Sequence, residues 1–110
     1  MDCLFCKIVS GDIPNNTVYE DDQILAFHDI APVAPVHVLV IPKTHIGGAA
    51  EVTAATAPIV GHIFEMIPQI AASLGITDYR VVTNNGADAG QTVGHLHFHI
   101  LGGRVLTEMG

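Results

Sequence analysis

Residues 94–101 read Gly94-His95-Leu96-His97-Phe98-His99-Ile100-Leu101, a regular alternation of imidazole and apolar side chains. Successive side chains of a β-strand point to opposite faces, so this spacing predicts a strand with three histidines on one face. The apolar face would meet the core. Neighbouring histidines would lie about 6.6 Å apart at Cα, which indicates a row of adjacent stations rather than a cage around one metal ion.

A glycine-rich loop, residues 84–92, immediately precedes this predicted strand. Glycines allow main-chain N–H groups to approach an anion closely. Such loops are more often plain hairpin turns, but the position beside three histidines favours a phosphate-binding loop. A net charge of −7 and only four lysines and arginines exclude a cationic surface for a series of nucleic-acid phosphates. We therefore expect a small phosphorylated ligand and no nucleic acid.

The remaining sequence predicts one α+β domain over residues 1–110. Strands are predicted over 18–20, 24–28, 37–41 and 79–83, in addition to 94–101. A short helix is predicted over 5–9, and apolar residues at three- and four-residue steps predict a long helix over 56–74. Pro68 lies inside that pattern, where we expect a kink rather than an end. Hairpin connections favour an antiparallel sheet of about five strands.

Two cysteines, Cys3 and Cys6, stand three positions apart near the start of the chain. The beginning of the sequence lacks a secretory signal, and no stretch reaches the roughly 18 apolar residues of a membrane helix. We therefore expect a cytoplasmic protein without membrane contact, where a disulfide is disfavoured. The cysteine spacing suits zinc, but a closed tetrahedral site needs two more ligands from elsewhere. Two free thiols are the alternative.

Several motifs resemble those of the histidine-triad superfamily, and most closely those of its Hint, or histidine-triad nucleotide-binding, branch. The matching segments cover nearly the whole chain: 19–22, 26–30, 34–37, 41–45, 90–100 and 101–104. The resemblance implies a HIT-like fold in which two subunits pair into one continuous sheet as a homodimer. It also implies a hydrolase of purine nucleoside phosphoramidates, conjugates of AMP or GMP, that forms a nucleotidyl-histidine intermediate and releases a nucleoside monophosphate.

The resemblance further implies a role for each site residue. His97 would attack the α-phosphorus as the nucleophile, while His99 and His37 would orient His97 and contact the phosphate. The phosphate-binding loop corresponds to Asn84, Gly90, Gln91 and Thr92. Asp29 corresponds to the carboxylate that binds the ribose hydroxyls. The walls of the purine pocket correspond to Phe5, Ile8, Phe27, His28 and Ile30.

Some relatives with the same cysteine pair hold a structural zinc, and no organic cofactor is implied. The four matching positions in this chain are Cys3, Cys6, His45 and His95. For Phe5, Ile8 and Phe27, an ordinary place in the core is an equally good interpretation. His62, on the long helix, is predicted to be a plain surface or helix-packing residue.

A neutral imidazole offers a lone pair near pH 7 without repelling a phosphate. We therefore expect His97 to be neutral at pH 7 and activity to fall in acid.

The same residues are compatible with two alternative functions: a nucleotide-binding regulatory module with little turnover, and a metal-dependent hydrolase. The first predicts AMP binding without product, and the second predicts loss of activity with a chelator. The row geometry and the absence of clustered carboxylates argue against the second.

Overall fold

Runs of β-branched and apolar residues form five antiparallel strands within residues 3–108, the part of the chain that this computed structural model describes. Residues 1, 2, 109 and 110 of the predicted domain lie outside it. The helices are α1 (Leu4–Ser10) and α2 (Ala57–Ser73), and the strands are β1 (Thr17–Glu20), β2 (Ile24–His28), β3 (Val36–Pro42), β4 (Tyr79–Val82) and β5 (Phe98–Gly102). The sheet order is β1-β2-β3-β5-β4. The predicted α+β class, with one long and one short helix, is confirmed.

The long helix α2 covers one face of the sheet. It buries Ile63, Ile67 and Ile70 at its sheet-facing positions. They pack in one cluster with Leu96 and with the apolar sheet residues Ile24, Val38, Val40, Phe98 and Ile100. Each fully buried aliphatic side chain contributes about 2 kcal/mol of transfer free energy. As predicted, the helix continues through Pro68, and Gly75 follows its end with φ of +76°.

The short helix α1 covers the opposite face. Phe5 and Ile8 of α1 pack with Cys3 in a second cluster, whose sheet members are Leu25, Phe27, Leu39 and Ile41. Neither α1 nor α2 is long and apolar enough to cross a membrane. His95, His97 and His99 lie on the α1 side of the sheet, because the alternating residues Leu96, Phe98 and Ile100 face α2.

The predicted strand over 94–101 is wrong in its first half, because β5 begins only at Phe98. His95 and His97 precede the strand in irregular backbone. There the His95 N–H donates to the Val93 carbonyl at 2.9 Å, and the Leu96 N–H donates to the Ile46 carbonyl at 2.6 Å. The hydroxyl of Thr83 donates to the His97 carbonyl at 2.7 Å. These partners replace the strand ladder, but the alternation of facing directions survives.

His62 is a helix-packing residue with a specific partner. Its Nε2 lies 2.6 Å from Oδ2 of Asp21 in the β1–β2 turn, and the Tyr19 hydroxyl donates to the same oxygen at 2.7 Å. Oδ1 of Asp21 accepts the N–H groups of Gln23 and Ile24. Burial alone would raise the pKa of the Asp21 carboxyl, but these hydrogen bonds outweigh burial and hold that pKa well below its usual range. The turn is thereby tied to α2.

Asp21→Asn tests this tie. Because the pKa of Asp21 is depressed in the folded protein, its stabilising contribution is present above the unfolded value of about 4 and is lost as pH falls further. We expect the variant to lose about 1 kcal/mol of unfolding free energy at pH 7, with a smaller deficit at pH 3. Urea unfolding followed by circular dichroism measures both. Asp22→Asn, at the exposed neighbour, is the control; an equal loss in the two variants would contradict the assignment.

Candidate active site

A hollow of about 300 Å³ opens on the α1 side of the sheet, between α1, the end of β2 and the histidine segment. It brings together nine residues that the sequence predicted for the site: Phe5, Ile8, Phe27, His28, Asp29, Ile30, Thr92, His97 and His99. Its lining combines apolar side chains with three histidines, His28, His97 and His99. His37 lies behind His99, with the ring centroids 5.2 Å apart.

Several lining residues were not predicted: Leu4, Ile13, Pro14, Asn15, Asn16, Leu39 and Val93. Leu39 carried a usable signal, because it alternates with His37 on β3 and therefore shares its face. Residues 13–16 form a connection between α1 and β1 with no periodic pattern. Only the tertiary structure brings that connection to the hollow.

Main-chain partners fix the proton positions of His97. Its Nδ1 lies 2.7 Å from the carbonyl oxygen of His95, and a carbonyl can only accept, so Nδ1 carries the proton. The neutral ring then has its lone pair on Nε2. His97 is 5% exposed, and its ring packs nearly perpendicular to the Phe5 ring with centroids 5.1 Å apart. The geometry thus holds one imidazole lone pair in a defined place at the hollow.

A second set of partners fixes His37 and His99. The Val33 N–H donates to Nδ1 of His37 at 3.1 Å, so a neutral His37 carries its proton on Nε2. That Nε2–H donates to Nδ1 of His99 at 2.9 Å, which leaves the His99 proton on Nε2. The His97 and His99 rings lie 5.0 Å apart between centroids. We call His37, His99 and His97 the histidine relay.

Burial keeps the relay rings behind His97 neutral near pH 7. Burial, helped by the neighbouring His97 and His37, lowers the pKa of His99 to about 4. Burial also lowers the pKa of His37, although the Asp29 carboxylate opposes the shift. Asp29 Oδ2 lies 3.4 Å from Nε2 of His37. Neutral rings are the state that the tautomers above require.

The predicted phosphate loop divides into one lining residue and several supporting residues. Thr92 lines the hollow. The carboxamide of Gln91 is used within the protein: Oε1 accepts the Gly86 N–H at 2.8 Å, and Nε2 donates to the carbonyls of Gly47 and Val93. Gly90 has φ of +99°, which suits glycine, and the Asn84 side chain lies beside it. Asn84, Gly90 and Gln91 therefore support the conformation of the loop and do not line the hollow.

A group of four side chains that could ligate a metal ion lies beside the hollow. The ligand atoms of Cys3, Cys6, His45 and His95 all lie within 4.8 Å of one another. Cys3 Sγ is 3.3 Å from Nδ1 of His95, and Cys6 Sγ is 3.2 Å from Nδ1 of His45. Nε2 of His95 must donate to the Pro42 carbonyl at 2.8 Å, so the Nδ1 lone pair faces the thiols. Two sulfur and two nitrogen donors fit tetrahedral zinc.

Asp29, His37 and His99 also lie within 4.8 Å of one another at their ligand atoms. Here the tautomer argues against a metal cage. Nδ1 of His37 already accepts the Val33 N–H, so the other nitrogen keeps its proton and offers no lone pair to an ion. His37 is instead hydrogen-bonded to His99, and the Asp29 carboxylate lies beside it.

Comparison with known proteins identifies the family. The family model described as the HIT domain matches residues 10–106. A HIT-like protein of Synechococcus elongatus is 52% identical over 106 residues, covering 96% of this chain and 93% of that protein. Protein HitA of Neisseria gonorrhoeae is 44% identical over 101 residues, covering 91% and 94%.

Two solved structures are similar to the whole fold. The HIT family hydrolase from Clostridium thermocellum has a TM-score of 0.94 at 44% identity, covering 98% of this chain and 96% of that chain. The histidine triad protein from Clostridium difficile has a TM-score of 0.94 at 48% identity, covering 100% and 97%. Sequence and structure agree over nearly the full length, and the chain therefore belongs to the HIT, or histidine-triad, family.

Proposed function

We propose that this protein hydrolyses purine nucleoside phosphoramidates of the AMP or GMP type. The observation that carries the proposal is the fixed lone pair on Nε2 of buried His97, beside His99 in a hollow that also has apolar walls. A solved relative is described as a HIT family hydrolase, which supports hydrolysis rather than binding alone. The size and apolar walls of the hollow suit a flat heterocyclic base.

The proposal gives the substrate a definite orientation in the hollow. The purine lies between the side chains of Phe5, Ile8, Phe27 and Ile30. The ribose hydroxyls donate to Asp29, whose Oδ2 faces the relay while Oδ1 accepts the Ala31 N–H. The α-phosphate then meets His97, His99 and the Thr92 hydroxyl. Its charge is balanced by N–H and O–H donors.

Catalysis proceeds in two displacements. Nε2 of His97 attacks the α-phosphorus, forming a P–N bond to the ring as the bond to the substrate amine breaks, and the amine leaves with a proton taken from solvent water. Water then attacks the same phosphorus and gives a proton back to solvent, the bond to His97 breaks, and the nucleoside monophosphate is released with the Nε2 lone pair restored. The Nε2–H of His99 donates to a phosphate oxygen throughout, where it stabilises the charge that develops in each transition state.

His97→Ala tests the proposal. Loss of the nucleophile should lower kcat/KM for adenosine 5′-phosphoramidate at least about a thousandfold, while AMP still binds because the base and ribose contacts remain. Product release measured by chromatography and AMP binding measured by calorimetry report the two properties. His62→Gln, outside the hollow, is the matched histidine control. Equal turnover by His97→Ala and wild type would overturn the mechanism, and AMP binding without turnover in wild type would favour a regulatory binding module.

We also propose that Cys3, Cys6, His45 and His95 hold one structural zinc ion in the reducing cytoplasm. When bound, zinc would fix the start of α1, and with it Phe5, against the segment that carries His97. It takes no part in the displacement, because its four protein ligands leave no open position.

Cys3→Ser tests the zinc proposal. We expect about one zinc per chain in wild type by mass spectrometry of the metal content, less in the variant, and a melting temperature lower by about 5 °C or more in the variant. Ser10→Ala, later on the same helix, is the control. A metal-free wild type grown with added zinc would remove the proposal, and loss of turnover on gentle chelation with no fall in melting temperature would instead favour a metal-dependent hydrolase.

A homodimer is the proposed assembly. Within the described residues, β4 is an edge strand paired only with β5, and its four residues are already half-buried. Exposed edges of antiparallel sheets are usually covered or paired. Sedimentation should therefore give about twice the chain mass of 11.6 kDa at micromolar concentration. A monomer mass across that range would contradict the proposal.

A further inference from the structure

We propose that the main-chain amide of Val33 is a positioning group for the histidine relay. Its N–H selects the nitrogen of His37 that carries the proton, and through His37 it selects the nitrogen of His99 that faces the substrate. The inference rests on the proposed hydrolysis, but it concerns a residue outside the family motifs quoted above.

Val33 contacts the protein through its main chain. Its side chain is 64% exposed, although it is apolar, so packing does not explain its position. Its N–H donates to Nδ1 of His37 at 3.1 Å, and its carbonyl accepts Nη2–H of Arg104 at 3.1 Å. The residue is thus held on both sides, between the C-terminal segment and the relay.

The loop between β2 and β3 is shaped to deliver this amide. The Asp29 N–H donates to the His37 carbonyl at 2.9 Å, which closes the base of the loop. Oδ1 of Asp29 accepts the Ala31 N–H at 2.8 Å, an Asx turn that bends the chain back. The chain then turns back toward β3, which brings the Val33 N–H to Nδ1 of the His37 ring.

The consequence reaches the substrate through two hydrogen bonds. With Nδ1 occupied by an N–H donor, neutral His37 must donate from Nε2, where His99 Nδ1 accepts at 2.9 Å and Asp29 Oδ2 lies at 3.4 Å. His99 then carries its own proton on Nε2. The opposite tautomers would turn a lone pair toward the phosphate oxygens, which repel it. The Val33 amide therefore decides whether His99 is a donor to the reacting group.

A pair of substitutions tests the role of the Val33 N–H. Val33→Pro removes the N–H, because proline lacks this hydrogen, whereas Val33→Ala keeps the N–H and removes most of the side chain. We expect kcat for adenosine 5′-phosphoramidate to be about tenfold lower in Val33→Pro than in Val33→Ala. KM should differ by less than about threefold between them, since the donor acts mainly on the transition state. Equal kcat values in the two variants would overturn the proposal.

A spectroscopic readout keeps the test independent of catalysis. Protein labelled with ¹⁵N-histidine is measured at pH 7.5 by long-range ¹H–¹⁵N correlation, and the His37 signals are assigned by their loss in His37→Gln. We expect His37 protonated on Nε2 in wild type and Val33→Ala, and a mixture of both tautomers in Val33→Pro. Wild-type His37 protonated on Nδ1 overturns the proposal, even if Val33→Pro fails to fold. If wild type does not hydrolyse phosphoramidates, the proposed function fails, and the spectrum still decides this inference.

Discussion

The site depends on one constraint: the proton of a buried imidazole must be placed by a hydrogen-bond partner. His37, His95 and His97 are at most 6% exposed in a chain of 110 residues. Within residues 3–108 no buried side-chain nitrogen or oxygen lacks a hydrogen-bond partner. Each of these three rings has one nitrogen on a main-chain group, whose role as donor or acceptor cannot change. The backbone therefore sets the tautomers, and the remaining nitrogens are left for chemistry.

The sheet separates this chemistry from the main source of stability. The face toward α2 is filled with aliphatic side chains and supplies most of the transfer free energy. The face toward α1 carries the histidines, the cysteines and the hollow, under a helix of only seven residues. A short helix contributes little stability by itself. Its position therefore depends on Phe5, on Ile8 and on the contacts of the cysteines with His45 and His95.

Periodicity predicted the elements well, and local competition explains the main error. The three- and four-residue apolar steps predicted α2 to within a residue at each end, and a short apolar run predicted β2 with its observed bounds. The alternation of residues 94–101 extended β5 too far, because the amides of His95 and Leu96 find partners outside the ladder. The alternating histidines pointed to His97, and the family resemblance pointed to Asp29; both line the hollow. The sequence did not predict that the Gln91 carboxamide bonds to main-chain groups within the protein, or that the Val33 N–H donates to His37. Both contacts arise only in the tertiary structure.

The distribution of charge determines how such a site must hold a nucleotide. The chain has only four lysines and arginines, and none is among the described residues that line the hollow. Lys43 pairs with Glu20 at 2.7 Å, away from it. Under the proposed function, the phosphate would therefore contact neutral donors, which bind a phosphate less strongly than cations do. Affinity would come chiefly from the base and ribose, and the phosphate contacts could strengthen as charge develops during displacement. Such a site would favour the transition state over the product and would let the monophosphate leave.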